Sequence, residues 1–138
     1  MNPNVVTHIL GTHYLAEFFD CDKSKINDLS FMEKVMIEAT ALSGSRMIKP
    51  FFHQFSPHGI SGVIVIAESH FAVHTWPEHG YAAIDLFSCS SFDYRAALDH
   101  LRIQLESRHN SVSLVRRGII SPDGGANPSE WERLDIEK

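Results

Sequence analysis

The chain has 138 residues, 43% of them hydrophobic and 21% charged, an ordinary composition for one globular domain that argues against a fibre, a linker or a disordered tail. Twelve Lys+Arg against 17 Asp+Glu give a formal net charge of −5, which argues against nucleic acid as a partner, since backbone binding needs clustered cations and Arg116-Arg117 is the nearest approach to a cluster. Two cysteines cannot build a disulfide framework, the opening MNPNVVTHIL does not read as a signal peptide, and the longest aliphatic run (Val63 to Ala67) is far short of the roughly 18 residues a membrane span needs, so no membrane partner and a reducing, cytoplasmic setting are the expectations.

In chain order, a first strand is predicted over about Val5 to Leu10. A helix follows from about Ser30 to Ser43. Ser30-x-x-Glu33 has the form of a capping box, Gly44 stands where a terminating glycine belongs, and Phe31, Val35, Met36, Ala39 and Leu42 recur at helical spacing. Four strands are then predicted over Met47 to Phe55, Gly62 to Ala67, His70 to Trp76 and Tyr81 to Ser88. The turn residues Ser56-Pro57-His58-Gly59 and Pro77-Glu78-His79-Gly80 punctuate them. A second helix spans about Phe92 to Ser107, with Tyr94, Ala97, Leu98, Leu101 and Leu105 on one stripe opposite Arg95, Asp99, Arg102 and Glu106. A last strand covers Val112 to Ile119, and residues 121–138, polar and Gly/Pro-containing, read as a loose tail.

Four consecutive strands imply an antiparallel sheet. With helices on one face, the fold class is α+β, a two-layer sandwich, with residues 1–138 as one domain. The uncovered face of such a sheet needs water, a ligand or a second subunit, so a homodimer is expected.

Nine histidines are many for this length. His70-x-x-x-His74 has a metal-ligand spacing for a helix, but the segment reads as strand and no HExxH is present, so no metal site is assigned. Cys89 ends a strand on the same face as Asp85 and Phe87; on spacing alone it reads as a small buried hydrophobe, the commoner fate of a lone cysteine, rather than as a thiol acid or nucleophile. Cys21, between Asp20 and Asp22, reads as structural, since flanking anions raise a thiol pKa. Glu68-Ser69-His70 alone would be a strand-end turn, because consecutive strand residues point to opposite faces and a serine before a histidine then forms no dyad. Phe55 and Glu78 alone would be a core phenylalanine and a solvated turn carboxylate, and Trp76 a structural residue.

These residues do not stand alone. The block from Phe55 to Cys89, FSPHGISGVIVIAESHFAVHTWPEHGYAAIDLFSC, resembles the bacterial and archaeal S-adenosylmethionine decarboxylase proenzymes, and the resemblance extends upstream to Gly11-Thr12-His13 and Asp20-Cys21-Asp22, over roughly residues 5–119. It implies that the hydroxyl of Ser69 attacks the carbonyl of Glu68. An ester replaces the peptide bond, elimination gives dehydroalanine, and hydrolysis leaves a pyruvoyl group and ammonia. The chain becomes residues 1–68 and 69–138. The pyruvoyl carbonyl then forms a Schiff base with the amine of S-adenosylmethionine and serves as the electron sink for loss of CO2. The product is the aminopropyl donor of spermidine synthesis.

The resemblance further implies His74 as the proton-abstracting residue of processing, Ser61 as its assistant, and Cys89 as the acid that returns a proton to the α-carbon. Phe55 and Glu78 match positions that contact the nucleoside, and the family is a dimer with its sites at the interface. Where the family often has Thr-Cys-Gly, this chain has Ser88-Cys89-Ser90. Ser69 and His74 are five positions apart, so a regular strand sets them on opposite faces; either the strand bends near Ser69 or the two meet across a subunit boundary. Two other readings stay open at this stage: the same machinery acting on ornithine or arginine, and a non-catalytic ligand- or metal-binding module.

Overall fold

The computed structural model describes residues 8–134. Its strands are β1 (His8–Phe19), β2 (Met47–Gln54), β3 (Ile60–Ile66), β4 (Ser69–Trp76), β5 (Tyr81–Ser88), β6 (His109–Ile120), β7 (Ala126–Asn127) and β8 (Glu130–Leu134), and its helices are α1 (Leu29–Leu42) and α2 (Tyr94–Gln104). The strands form one sheet in the order β2-β3-β4-β5-β1-β6, with β7 and β8 both paired to β6. Every pairing is antiparallel.

Both helices cover one face. Alternation along the strands sends Ala16, Phe18, Ile64, Phe71, Val73, Ile84 and Leu86 toward Met32, Val35, Met36, Leu98 and Leu101, and these form one buried core. The other face of the sheet carries no helix. Gly62 serves the covered side: a Cβ there would sit 2.2 Å from the Phe52 ring, so only glycine lets that ring lie across β3 into the core.

Several boundaries differ from the sequence expectations. Asp28, not Ser30, caps α1, its carboxylate accepting from the Phe31 amide at 3.0 Å; the capping box is not formed. Leu42 is 51% exposed, so the apolar stripe of α1 runs through Met32 instead. Asp93 caps α2, which is shorter at both ends than expected. Of the strand expected over Val5 to Leu10, residues 5–7 lie outside the described residues; the rest belongs to β1, which continues to Phe19 because Ala16 and Phe18 alternate into the core.

Residues 121–134 are not loose. A turn closed by Asp123 leads into β7 and β8, β8 lies along β6 from Val112 to Arg116, and Arg116 bonds Glu132 at 2.6 Å. The added strand covers what would be a bare sheet edge.

Candidate active site

The two-residue loop Ala67-Glu68 joins β3 to β4. It sets the register Ile66↔Ser69, and the ladder then runs unbroken to Ser61↔His74. That register builds two separate clusters at the two ends of β4.

The first cluster surrounds the Glu68–Ser69 bond. Glu68 sits at φ +77, in the left-handed region that costs a non-glycine residue about 1–2 kcal/mol. Its carbonyl oxygen accepts a hydrogen bond from the backbone amide of Cys89 at 3.3 Å. Ser69 lies across from Ser88, which is 2% exposed. The Ser88 hydroxyl accepts from the Ser90 amide at 3.1 Å and lies 3.2 Å from the Ser90 hydroxyl. This turn aims the Cys89 amide at Glu68 and leaves the Cys89 side chain exposed. Cys89 lines two cavities, one of about 360 Å³ with Thr12, Tyr14 and Phe92, the other of about 300 Å³ with Leu10, Phe87 and Arg117. The buried-hydrophobe alternative for Cys89 is thus not realised.

The Ser69 hydroxyl also lies 3.5 Å from Nδ1 of His70, which corrects the expectation that no Ser–His contact forms there.

The second cluster lies on the uncovered face. The Ser61 hydroxyl and Nδ1 of His74 are 2.9 Å apart. Both line a cavity of about 360 Å³ with Phe55, His58, Trp76 and Glu78. Phe55 is 49% exposed, too open for a core residue. Glu78 pairs with His58 at 3.1 Å. Its own backbone N–H, with His58 adding, holds its carboxyl below the ordinary carboxylate value. Trp76, expected to be structural, borders this cavity, its ring 5.4 Å from that of Tyr81.

All seven residues singled out in the sequence therefore fall into these two clusters, but the clusters do not meet within one chain. β4 is regular, with unshifted ladders on both sides, so the bend that could have joined Ser69 to His74 is absent. Five residues of strand at about 3.3 Å each separate them by roughly 16 Å. Motif reading gave His58 no role and set His70 aside both as a metal ligand and as a partner of Ser69. The hairpin register would have found the Ser61–His74 pair; no sequence signal marks His58 as the partner of Glu78. Among the described residues, no group of three His, Cys, Asp or Glu side chains is placed to hold a metal ion. Cys21 is buried, and burial first, with Asp20 adding, pushes its thiol up to about 11, a structural thiol as expected.

The sheet thus carries a serine behind a left-handed residue, an exposed thiol and a Ser–His pair beside open cavities, side chains suited to acyl-transfer and acid–base chemistry. The family model described as S-adenosylmethionine decarboxylase matches residues 12–118. A protein of Caldicellulosiruptor saccharolyticus named S-adenosylmethionine decarboxylase proenzyme is 42% identical over 113 residues, covering 81% of this chain and 91% of that one. One of the same name from Thermotoga petrophila is 44% identical over 110 residues, covering 79% and 85%. The crystal structure of the adenosylmethionine decarboxylase from Aquifex aeolicus superposes with a TM-score of 0.77 at 31% identity, covering 85% of this chain and 98% of that one. A Trypanosoma brucei AdoMetDC monomer, at 12% identity and a TM-score of 0.59, shares the fold over 53% of its own length. The chain belongs to the S-adenosylmethionine decarboxylase family.

Proposed function

We propose that this chain is a proenzyme that cuts itself between Glu68 and Ser69 and then decarboxylates S-adenosylmethionine to the aminopropyl donor of spermidine synthesis. The observation that carries the reading is the hydrogen bond from the Cys89 amide to the Glu68 carbonyl. It polarises the one carbonyl that the Ser69 hydroxyl must attack, and it is aimed where negative charge develops. Glu68 at φ +77 adds strain to the same peptide unit.

The surroundings fit a pyruvoyl group at position 69: a donor stands on the Glu68 carbonyl, and Cys89 with its two cavities stands beside it. The pyruvoyl group supplies the electron sink for decarboxylation. Cys89, its side chain exposed beside that bond, returns a proton to the α-carbon once CO2 has left. In the other cluster, the Phe55 ring stacks on adenine and the Glu78 carboxylate accepts from the ribose hydroxyls. Ornithine or arginine would leave that cavity unfilled, which favours the nucleoside substrate.

The two clusters become one site in a homodimer. The uncovered sheet faces meet, and a two-fold axis near the middle of β4 sets the Ser69–Cys89 end of one protomer against the Ser61–His74 end of its partner, twice over. Ala72 stands at that midpoint, opposite Asp85, where its small side chain permits close approach. His74 then removes the α-proton of the Ser69 ester across the interface. Mass spectrometry of freshly made protein tests the reading. Fragments of residues 1–68 and 69–138, the second lacking its amino terminus, with CO2 release from S-adenosylmethionine, are expected; an intact, folded chain overturns it.

A further inference from the structure

We propose that His70 takes the hydroxyl proton of Ser69 in the first step of self-cleavage. The inference rests on the cleavage reading above and assigns a residue that reading leaves without a role. Nδ1 of His70 is 3.5 Å from the Ser69 hydroxyl, at the long end of the hydrogen-bond range, and resting catalytic contacts tighten as the reaction begins. No other side chain among the described residues has a hydrogen-bond contact with that hydroxyl. His74 is engaged with Ser61 and stands at the far end of β4 in the same chain.

The fold holds the His70 ring in place. A Cβ on Gly11 would come within 2.7 Å of Phe87, so glycine there lets the Phe87 ring lie over β1. That ring stands 5.8 Å from His70 and 5.4 Å from His13. His13 is edge-on to His70 at 6.5 Å, and its Nε2 lies 3.4 Å from Asp85.

The step balances without an outside reagent. The Oγ–H bond of Ser69 breaks and its proton passes to Nδ1 of His70. Oγ bonds to the Glu68 carbonyl carbon, and the carbonyl electron pair moves to the oxygen that the Cys89 amide holds. Collapse breaks the bond from that carbon to the Ser69 nitrogen, and His70 returns its proton to the nitrogen. An ester and a free amine result. Loss of the α-proton is a later and separate step.

The test uses His70→Asn, whose side-chain oxygen can stand where Nδ1 stands and accept a hydrogen bond but not carry a proton, together with His70→Ala and His74→Ala. Cleavage of newly made chain is followed by mass spectrometry, with hydroxylamine, which cuts an ester but not the peptide bond. His70→Asn should melt as the wild type does yet cleave on the order of 100-fold more slowly, and its uncut chain should resist hydroxylamine. Free imidazole should restore cleavage to His70→Ala. His74→Ala should instead accumulate hydroxylamine-labile chain. Cleavage of His70→Asn at the wild-type rate, or a hydroxylamine-labile His70→Asn chain, overturns the proposal. Wild-type protein in the same assay separates the two readings: if it never cleaves, self-processing itself fails; if it cleaves and His70→Asn keeps pace, only the role of His70 fails.

Discussion

The backbone amide of Cys89 donates to the carbonyl oxygen of Glu68 across 3.3 Å, so the residue just after β5 grips the residue just before β4. One contact thereby joins the thiol's own backbone to the bond expected to break.

The strained loop should be measurable. In a Ser69→Ala background, which keeps the chain intact, Glu68→Gly removes a left-handed cost of about 1–2 kcal/mol and adds roughly 0.5–1 kcal/mol of chain entropy. We expect a net gain of about 0–1.5 kcal/mol and a melting temperature up to about 5 °C higher by calorimetry. With Ser69 restored, Glu68→Gly should slow cleavage, because part of the driving strain is gone.

Sharing of the site between protomers predicts complementation. His74→Ala and Ser69→Ala homodimers should each stay uncut. In a mixed dimer the Ser69→Ala chain supplies an intact His74 to its partner, so the His74→Ala chain should be cleaved. Two affinity tags and mass spectrometry read this directly, and a mixed dimer that stays wholly uncut argues for a site contained in one chain.

Cut halves should not separate. Residues 1–68 carry β1, β2 and β3, and residues 69–138 carry β4, β5 and β6. In the sheet these alternate, with β1 held between β5 and β6 and β3 against β4. Parting them breaks three ladders and opens the core. Native mass spectrometry should show one complex that resolves into two fragments only on denaturation.

Stability should fall at alkaline pH. Burial raises the folded thiol of Cys21 to about 11 from an ordinary 9.0. Between those values the unfolded chain has lost a proton that the folded chain keeps, so this contribution is whole below pH 9 and is lost as pH rises toward 11. Tyr81, raised to about 12 by burial first and then by Glu17, acts in the same direction at higher pH. Cys21→Ala should flatten the fall in urea midpoint between pH 9 and 11. At pH 8, iodoacetamide should label Cys89 and spare Cys21.

Removing residues 122–138 should destabilise the protein by about 1–3 kcal/mol and promote association through the bared edge of β6. The cost comes from the loss of a ladder, of Leu134 packed against the core and of the Arg116–Glu132 bond. Urea denaturation and light scattering measure the two effects.

The site was largely legible as a list of residues. The string from Phe55 to Cys89 carried Ser61, Ser69, His74, Glu78 and Cys89, because the chemistry needs those side chains and a family resemblance marks them. The tail was misread because β8, with Glu130, Glu132 and Arg133, is polar by composition; it pairs as a strand because an open edge of β6 awaits it. Ser30 lost the cap of α1 to Asp28, which reaches the Phe31 amide from one helical turn's start earlier.

What the amino-acid order determined by itself is local: alternation and helical periodicity choose the elements, and a two-residue loop sets the register that pairs Ser61 with His74. What only the tertiary structure decided is which ends of which strands come together. The Cys89 amide finds Glu68 because β5 lies beside β4, and Ser69 is kept from His74 because β4 stays straight between two neighbours. Those placements depend on ladders and packing between distant segments, whose energies no short stretch of sequence contains.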